Sequence, residues 1–298
     1  MEALSINRKQ FDVLCCLERY PKGKSQREIA ELTGMSVGSV NRTISSLTQE
    51  GMISDGGITN KGLEALEPYR VKRAIFLAAG FGSRLVPITL NTPKPLVRVN
   101  GTRMIDTMLD AVIAAGITEI YVVRGYLGEQ FDQLLYKYPM LKFIENPLYN
   151  ESNNISSALA AKGLFENAYI MEADLVLYNP DLITKYQYTS NYLGVPVEKT
   201  DDWCFATKNG VITAIMVGGT NCYHEYGVSY WNEEHGKKLS QDVETVFNMP
   251  GGRERYWDQV PLEYCAKNYR VEVRPCTFED IIEIDSYADL KKLDKTYC

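Results

Sequence analysis

One stretch, residues 73–96, constrains this chain more than any other. Arg73-Ala74-Ile75-Phe76-Leu77-Ala78 is a short apolar run, the pattern of a strand buried on both faces of a parallel sheet. It leads directly into Ala79-Gly80-Phe81-Gly82-Ser83-Arg84-Leu85. Small residues there let backbone N–H groups approach an anion closely, which is how a glycine-rich loop holds phosphate. Asn91-Thr92-Pro93-Lys94-Pro95-Leu96 follows, with a proline fixing the backbone on each side of Lys94. A rigidly presented ammonium beside such a loop suits chemistry at a phosphate. A dinucleotide-binding loop would carry a third glycine where Leu85 stands and would open a helix, not meet Pro87. A P-loop would end in Gly-Lys-Ser/Thr, which this segment lacks. A glycine turn beside a surface lysine leaves the pairing of the two features unexplained.

After this segment, apolar runs and helical patterns alternate. Helices are predicted over 104–115, 130–138, 154–165 and 181–188, and strands over 119–123, 141–144 and 168–171. This is the pattern of an α/β sandwich with a mostly parallel central sheet, whose ligands sit at the strands' carboxyl ends. The length of 298 residues suits two domains, and 45% hydrophobic residues exclude a disordered chain. The boundary is placed near Glu67-Pro68-Tyr69-Arg70, giving domains 1–70 and 71–298. The first 70 residues hold nine Lys/Arg and nine Asp/Glu, so the second domain carries the whole net charge of -6. That balance argues against a general polyanion binder. Seven scattered cysteines without a C-x-x-C, no basic-apolar leader and no long apolar run point to a cytoplasmic protein with no membrane span.

The first domain reads as three helices and a hairpin. A helix over 6–19 groups Phe11, Leu14, Cys15 and Leu17 on one face. Ser25 with Glu28 forms a capping box opening a second helix that stops at Gly34. Ser36 caps a third, carrying Val37, Val40, Ile44 and Leu47 and ending at Gly51. Residues 52–59 form a hairpin with Asp55-Gly56 at its turn. The order, and the spacing of Ala30, Gly34 and Val40, resemble a winged helix-turn-helix domain. The third helix carries Arg42 as its single cation, so DNA binding is not favoured over a docking or dimerising role.

Residues 77–96 follow the pattern L-A-A-G-x-G-[ST]-R-[LM]-x-P-[LI]-T and then P-K-x-L. The second domain thereby resembles the nucleotidyltransferases that activate sugar phosphates and related alcohol phosphates, a Rossmann-like sandwich. The segments Asn153-Asn154, 227–231, 256–258 and 283–286 look like those of its bacterial CTP:phosphocholine cytidylyltransferase branch. The resemblance spans residues 72–297. It implies a nucleotide site of Leu77, Ala79, Gly80, Gly82, Ser83, Arg84, Lys94, Tyr126 and Asn153, with Lys94, Arg84 and Asp174 catalytic. Asp174, which ends the 168–171 strand region, and Asp285, before the last helix, are implied to hold Mg²⁺. Glu172 stands where the family more commonly has Asp and is expected behind the metal ligands.

Aromatic rings with an acid nearby recognise quaternary ammonium. All three tryptophans lie beyond residue 200, and Trp203, Tyr230, Trp231, Tyr256, Trp257 and Asp258 are expected to surround choline. The expected reaction joins CTP and phosphocholine into CDP-choline and pyrophosphate. An ionised phosphate nucleophile needs no general base, so His224 and His235 are expected at the surface without a role. Two alternatives stay open: a sugar-1-phosphate or other alcohol phosphate as acceptor, and an enzyme that doubles as a DNA-binding regulator.

Overall fold

The structure is a computed structural model, and it describes residues 5–298. The chain divides into two compact units. One ends at Arg70 and also takes in Tyr186–Tyr188; the other comprises Val71–Lys185 and Thr189–Cys298.

The first unit holds α1 (Arg8–Arg19), α2 (Gln26–Thr33), α3 (Val37–Gln49), the strands β1 (Ile53–Ser54) and β2 (Gly57–Ile58), and α4 (Asn60–Leu66). Local chemistry sets each boundary. Ser25 and Glu28 form the reciprocal capping box of α2, and Gly34 ends it in the left-handed conformation. Ser36 accepts from the Ser39 N–H to open α3. Asp55 (φ 52°) and Gly56 (φ 76°) supply the two positive φ angles of a tight hairpin turn. Phe11, Leu14, Leu17, Ile29, Val40 and Leu47 form the core, which Tyr186 joins.

The second unit is built on a seven-stranded sheet. Its strands are β3 (Arg73–Leu77), β6 (Glu119–Arg124), β7 (Lys142–Glu145), β8 (Ala168–Glu172), β10 (Asn191–Lys208), β11 (Val211–Trp231) and β12 (Glu272–Pro275). Between them fall the short strands β4 (Arg98–Val99), β5 (Thr102–Arg103) and β9 (Leu175–Leu177), with β13 (Ile281–Glu283) near the end. The sheet order is β10-β12-β11-β8-β3-β6-β7. Strands β8, β3, β6 and β7 run parallel, and β11 returns antiparallel to β8. Helices α5 (Met104–Ala114), α6 (Ile155–Ala160), α7 (Glu233–Phe247) and α8 (Tyr287–Leu293) complete the unit. The core divides into two main clusters. Phe76, Val122 and Met171 belong to one; Ile75, Val123 and Ile170 belong to the other. Adjacent residues of each buried strand thus serve opposite faces, as the pleat requires.

Three expected helices differ. Residues 128–136 wind as a 3-10 helix, and α6 spans only Ile155–Ala160. The expected helix over 181–188 is a single turn, Pro180–Leu182, opened by Asn179 accepting from the Asp181 N–H. A proline at the first position starts that turn, but the following chain leaves it to place Tyr186–Tyr188 in the first unit. No helix among the described residues is long and apolar enough to cross a membrane.

Candidate active site

Strands β3 and β8 are neighbours, yet the chain reaches β6 and β7 before it returns to β8. Strand order therefore reverses at the β3–β8 pair, where an open parallel sheet places its ligand crevice. Leu77 and Glu172 are register partners across that pair. The glycine loop thus leaves the sheet beside the acidic segment 172–174. A cleft of about 580 Å³ opens there. Leu77, Ala79, Gly80, Gly82, Ser83, Arg84, Lys94 and Asn153 all line it.

Gly82 sits at φ 68°, and a Cβ there would lie 2.9 Å from Lys94 Cβ and 3.2 Å from Thr89 Cγ2. Only glycine lets the loop close onto the lysine. Thr89 Oγ1 donates to the Gly82 carbonyl (2.9 Å), and Tyr126 Oη donates to the Thr89 carbonyl (2.9 Å). Tyr126, expected at the nucleotide, is thus a brace behind the loop, with its ring against Phe81 and outside the cleft lining.

Strand β13 pairs antiparallel with β9, and the Ile284 N–H donates to the Asp174 carbonyl (3.3 Å). This draws Asp285 to Asp174. Lys94 Nζ donates to Asp174 Oδ2 at 2.7 Å and to Asp285 Oδ1 at 3.4 Å. Arg84 holds both oxygens of Asp285, at 2.9 and 2.8 Å. Burial pulls the Lys94 ammonium down, but Asp174, Asp285 and Glu283 outweigh it, and its pKa lies above the ordinary lysine value.

Two Glu-x-Asp pairs, 172–174 and 283–285, therefore face one another. Glu172, Asp174 and Glu283 can each bring an oxygen within 4.8 Å of the others. Burial and then Asp174 push Glu172 up to about 8. Burial, Asp174 and Glu172 hold Glu283 well above the usual carboxylate range. Asp174 Oδ1 is buried without a hydrogen-bond partner. Crowded hard oxygens and an orphaned carboxylate oxygen fit a divalent cation such as Mg²⁺. Glu283 was not expected in this role, although its Glu-x-Asp spacing repeats that of Glu172.

The residues expected around choline separate. Trp203, Tyr256 and Asp258 line the cleft, with the two rings 5.5 Å apart. Tyr230, Trp231 and Trp257 are corrected to the core. Trp231 Nε1 donates to Ser229 Oγ (2.9 Å), Tyr230 Oη donates to Asn167 (3.2 Å), and Trp257 packs on Tyr192. Tyr230 and Trp231 belong to a sheet strand covered on both faces, which the sequence did not reveal. Glu225 joins Asp258 in the cleft instead. Burial and then Asp258 hold Glu225 far above the usual range, and burial pushes Asp258 up to about 6. Both carboxyls thus hold a proton more tightly than free side chains do. Histidine 235 is also corrected: it is buried, with Nδ1 2.8 Å from Ser190 Oγ.

Residues 73–228 match the nucleotidyl transferase family model, and residues 6–54 match the winged helix-turn-helix DNA-binding model. The chain belongs to the nucleotidyltransferase family. This nucleotidyltransferase is 38% identical over 228 residues to a 2-aminoethylphosphonate cytidylyltransferase of Lancefieldella rimae, covering 75% of this chain and 92% of that one. It is 32% identical over 225 residues to a choline-phosphate cytidylyltransferase of Streptococcus pneumoniae, covering 75% and 97%. The solved CTP:phosphocholine cytidylyltransferase of Streptococcus pneumoniae superposes with a TM-score of 0.70 at 31% identity, over 77% of this chain and all of that one. The nucleotidyltransferase cleft thus brings together three groups of residues: the glycine loop with Arg84 and Lys94, the carboxylates Glu172, Asp174, Glu283 and Asp285, and the Glu225–Asp258 pair beside Trp203 and Tyr256.

Proposed function

We propose that this protein is a cytidylyltransferase whose acceptor carries a phosphate or phosphonate at one end and a cationic nitrogen at the other. The Glu225–Asp258 pair carries the reading. Two desolvated carboxyls held above the usual range in one cleft are stabilised in their charged form by an adjacent cation. A primary ammonium donates hydrogen bonds to both carboxylates, so 2-aminoethylphosphonate is the favoured acceptor, in keeping with the Lancefieldella rimae relative. Phosphocholine, the acceptor expected from the sequence, is the second reading, favoured by the Trp203–Tyr256 ring pair.

In this reading the glycine-loop N–H groups and Arg84 hold the triphosphate of CTP. Lys94, oriented by Asp174, faces the charge that builds on the α-phosphate. An ionised acceptor oxygen attacks the α-phosphorus, the bond to the bridging oxygen breaks, and pyrophosphate leaves with that electron pair. No residue need remove a proton. Mg²⁺, held by Asp174 and Asp285 with Glu172 or Glu283, would offset phosphate charge. Residues Asn153, Leu77 and Ala79 line the part of the cleft assigned to the nucleoside.

Incubation with each nucleoside triphosphate, Mg²⁺ and an acceptor panel, followed by pyrophosphate release, tests the reading. Turnover is expected with CTP and 2-aminoethylphosphonate, less with phosphocholine, and none with sugar 1-phosphates. Preference for a sugar 1-phosphate would overturn it.

A further inference from the structure

Asn154 occupies the N-cap of α6 but does not cap it. Asn7 and Asn232, the asparagines at the corresponding place in α1 and α7, each accept a first-turn N–H. Asparagine is favoured at this position for that bond, and an alanine there costs about 1 kcal/mol. Asn154 spends both ends of its amide elsewhere. Its Oδ1 accepts the Trp257 N–H at 2.8 Å, and its Nδ2 donates to Glu172 Oε1 at 3.3 Å. The neighbouring Asn153 ties the same distant segment: its N–H donates to the Arg253 carbonyl (2.7 Å) and its Nδ2 to the Glu254 carbonyl (3.3 Å). That segment carries Tyr256 and Asp258 into the cleft. On the other side, Gly227 leaves room for Glu172: a Cβ there would lie 2.5 Å from Glu172 Cγ. Glu172 is thus held between Gly227 and the Asn154 amide.

We propose that Asn154 is a positioning residue that sets the acceptor-binding segment 256–258 against the carboxylate cluster by holding the Trp257 N–H and Glu172 with one side chain. The amide fixes the backbone immediately before Asp258, and so where that carboxyl meets the acceptor. The inference rests on the acceptor reading above for its kinetic consequence, but not for its structural one.

Two variants separate the two bonds. Asn154→Ala removes both. Asn154→Asp keeps an oxygen for the Trp257 N–H, loses the donor, and sets a carboxylate against Glu172. With Asn154→Ala, the acceptor KM is expected to rise about ten-fold, the scale of one lost hydrogen bond, with the CTP KM within about two-fold. Amide exchange at Trp257, followed by NMR without substrates, should quicken by about ten-fold. With Asn154→Asp, Trp257 exchange and the acceptor KM should stay near wild type while kcat falls. A residue serving only as a helix cap would leave Asp equal to Asn in every readout and would shift both KM values together in the Ala variant. That result, or unchanged Trp257 exchange in Asn154→Ala, overturns the proposal. A wild type that turns over no cationic acceptor would refute the acceptor reading alone, and the exchange measurement would still decide on Asn154.

Discussion

Lys94 is held by its own flanks and by its partners. Pro93 and Pro95 restrict the backbone, and Asp174 takes the ammonium at 2.7 Å. Its side chain keeps only 10% of its exposure, so its charge acts with little screening. Lys94→Ala is expected to lower kcat by about a hundred-fold or more at saturating CTP, the scale of a lost transition-state charge partner; an unaltered kcat would remove Lys94 from the chemistry. Glu172 gives a pH prediction. Its native pKa of about 8 lies above the ordinary 4.5, so between those values the folded protein binds a proton that the unfolded chain releases. Metal-free stability therefore falls as pH rises through that window. The melting temperature in EDTA should drop from pH 5 to pH 8.5, and Glu172→Gln should flatten the drop. A melting temperature that rises over that range would contradict the crowding of acids at the site. These residues differed in legibility. Lys94, Arg84, Asp174 and Asp285 stood in motifs. Glu283 stood in the same segment as Asp285 without a role of its own, and Glu225 stood in none, because only pairing between distant strands brings it into the cleft.

The glycine loop is an element whose shape depends on one position more than another. At Gly82 the left-handed backbone and the nearness of Lys94 Cβ both oppose a side chain, whereas a Cβ at Gly80 would meet nothing within 4 Å. Gly82→Ala should cost about 1–2 kcal/mol for the left-handed conformation alone and displace Lys94, lowering both melting temperature and kcat. Gly80→Ala should leave the melting temperature within a degree or two. Equal melting losses in the two variants would show that the loop is not anchored through Gly82. Elements were legible where signals are local. Ser25, Glu28, Gly34 and Ser36 mark the ends of α2 and α3 within a few residues of sequence. The long strands β10 and β11 were not anticipated, since a ribbon is fixed by cross-strand partners such as Asn191–Tyr230 and not by its own periodicity. For the same reason Trp231 looked like a ligand-binding ring when it is a core residue.

At the scale of the molecule, the first unit combines a winged-helix fold with weak electrostatics. Its α3 bears Arg42 as the single Lys or Arg, and the hairpin tip carries Asp55. Phosphate contacts supply most non-specific affinity for DNA, so no gel shift is expected at micromolar protein and moderate salt. A sequence-specific shift under those conditions would favour the bifunctional alternative. The Streptococcus pneumoniae relative aligns over 97% of its own length with only 75% of this chain, so it lacks room for both units. Transfer chemistry should accordingly reside in residues 71–298. A simple truncation at that boundary, however, strands Tyr186 and Tyr188. In the first unit Tyr188 stacks on Tyr69 with centroids 5.2 Å apart and meets Phe11 at 5.2 Å, while Tyr186 is 6% exposed in the core. Without those partners the two rings face water, and exposed aromatic surface promotes association. Residues 71–298 should therefore aggregate as cut, and become soluble with Tyr186→Ser and Tyr188→Ser. The substituted fragment should turn over CTP within about three-fold of the full chain, since no residue assigned to the cleft lies before Leu77 and three-fold is under 1 kcal/mol in barrier. Light scattering and pyrophosphate release measure the two halves of this expectation. A soluble, folded fragment with little activity would make the first unit a participant in the reaction.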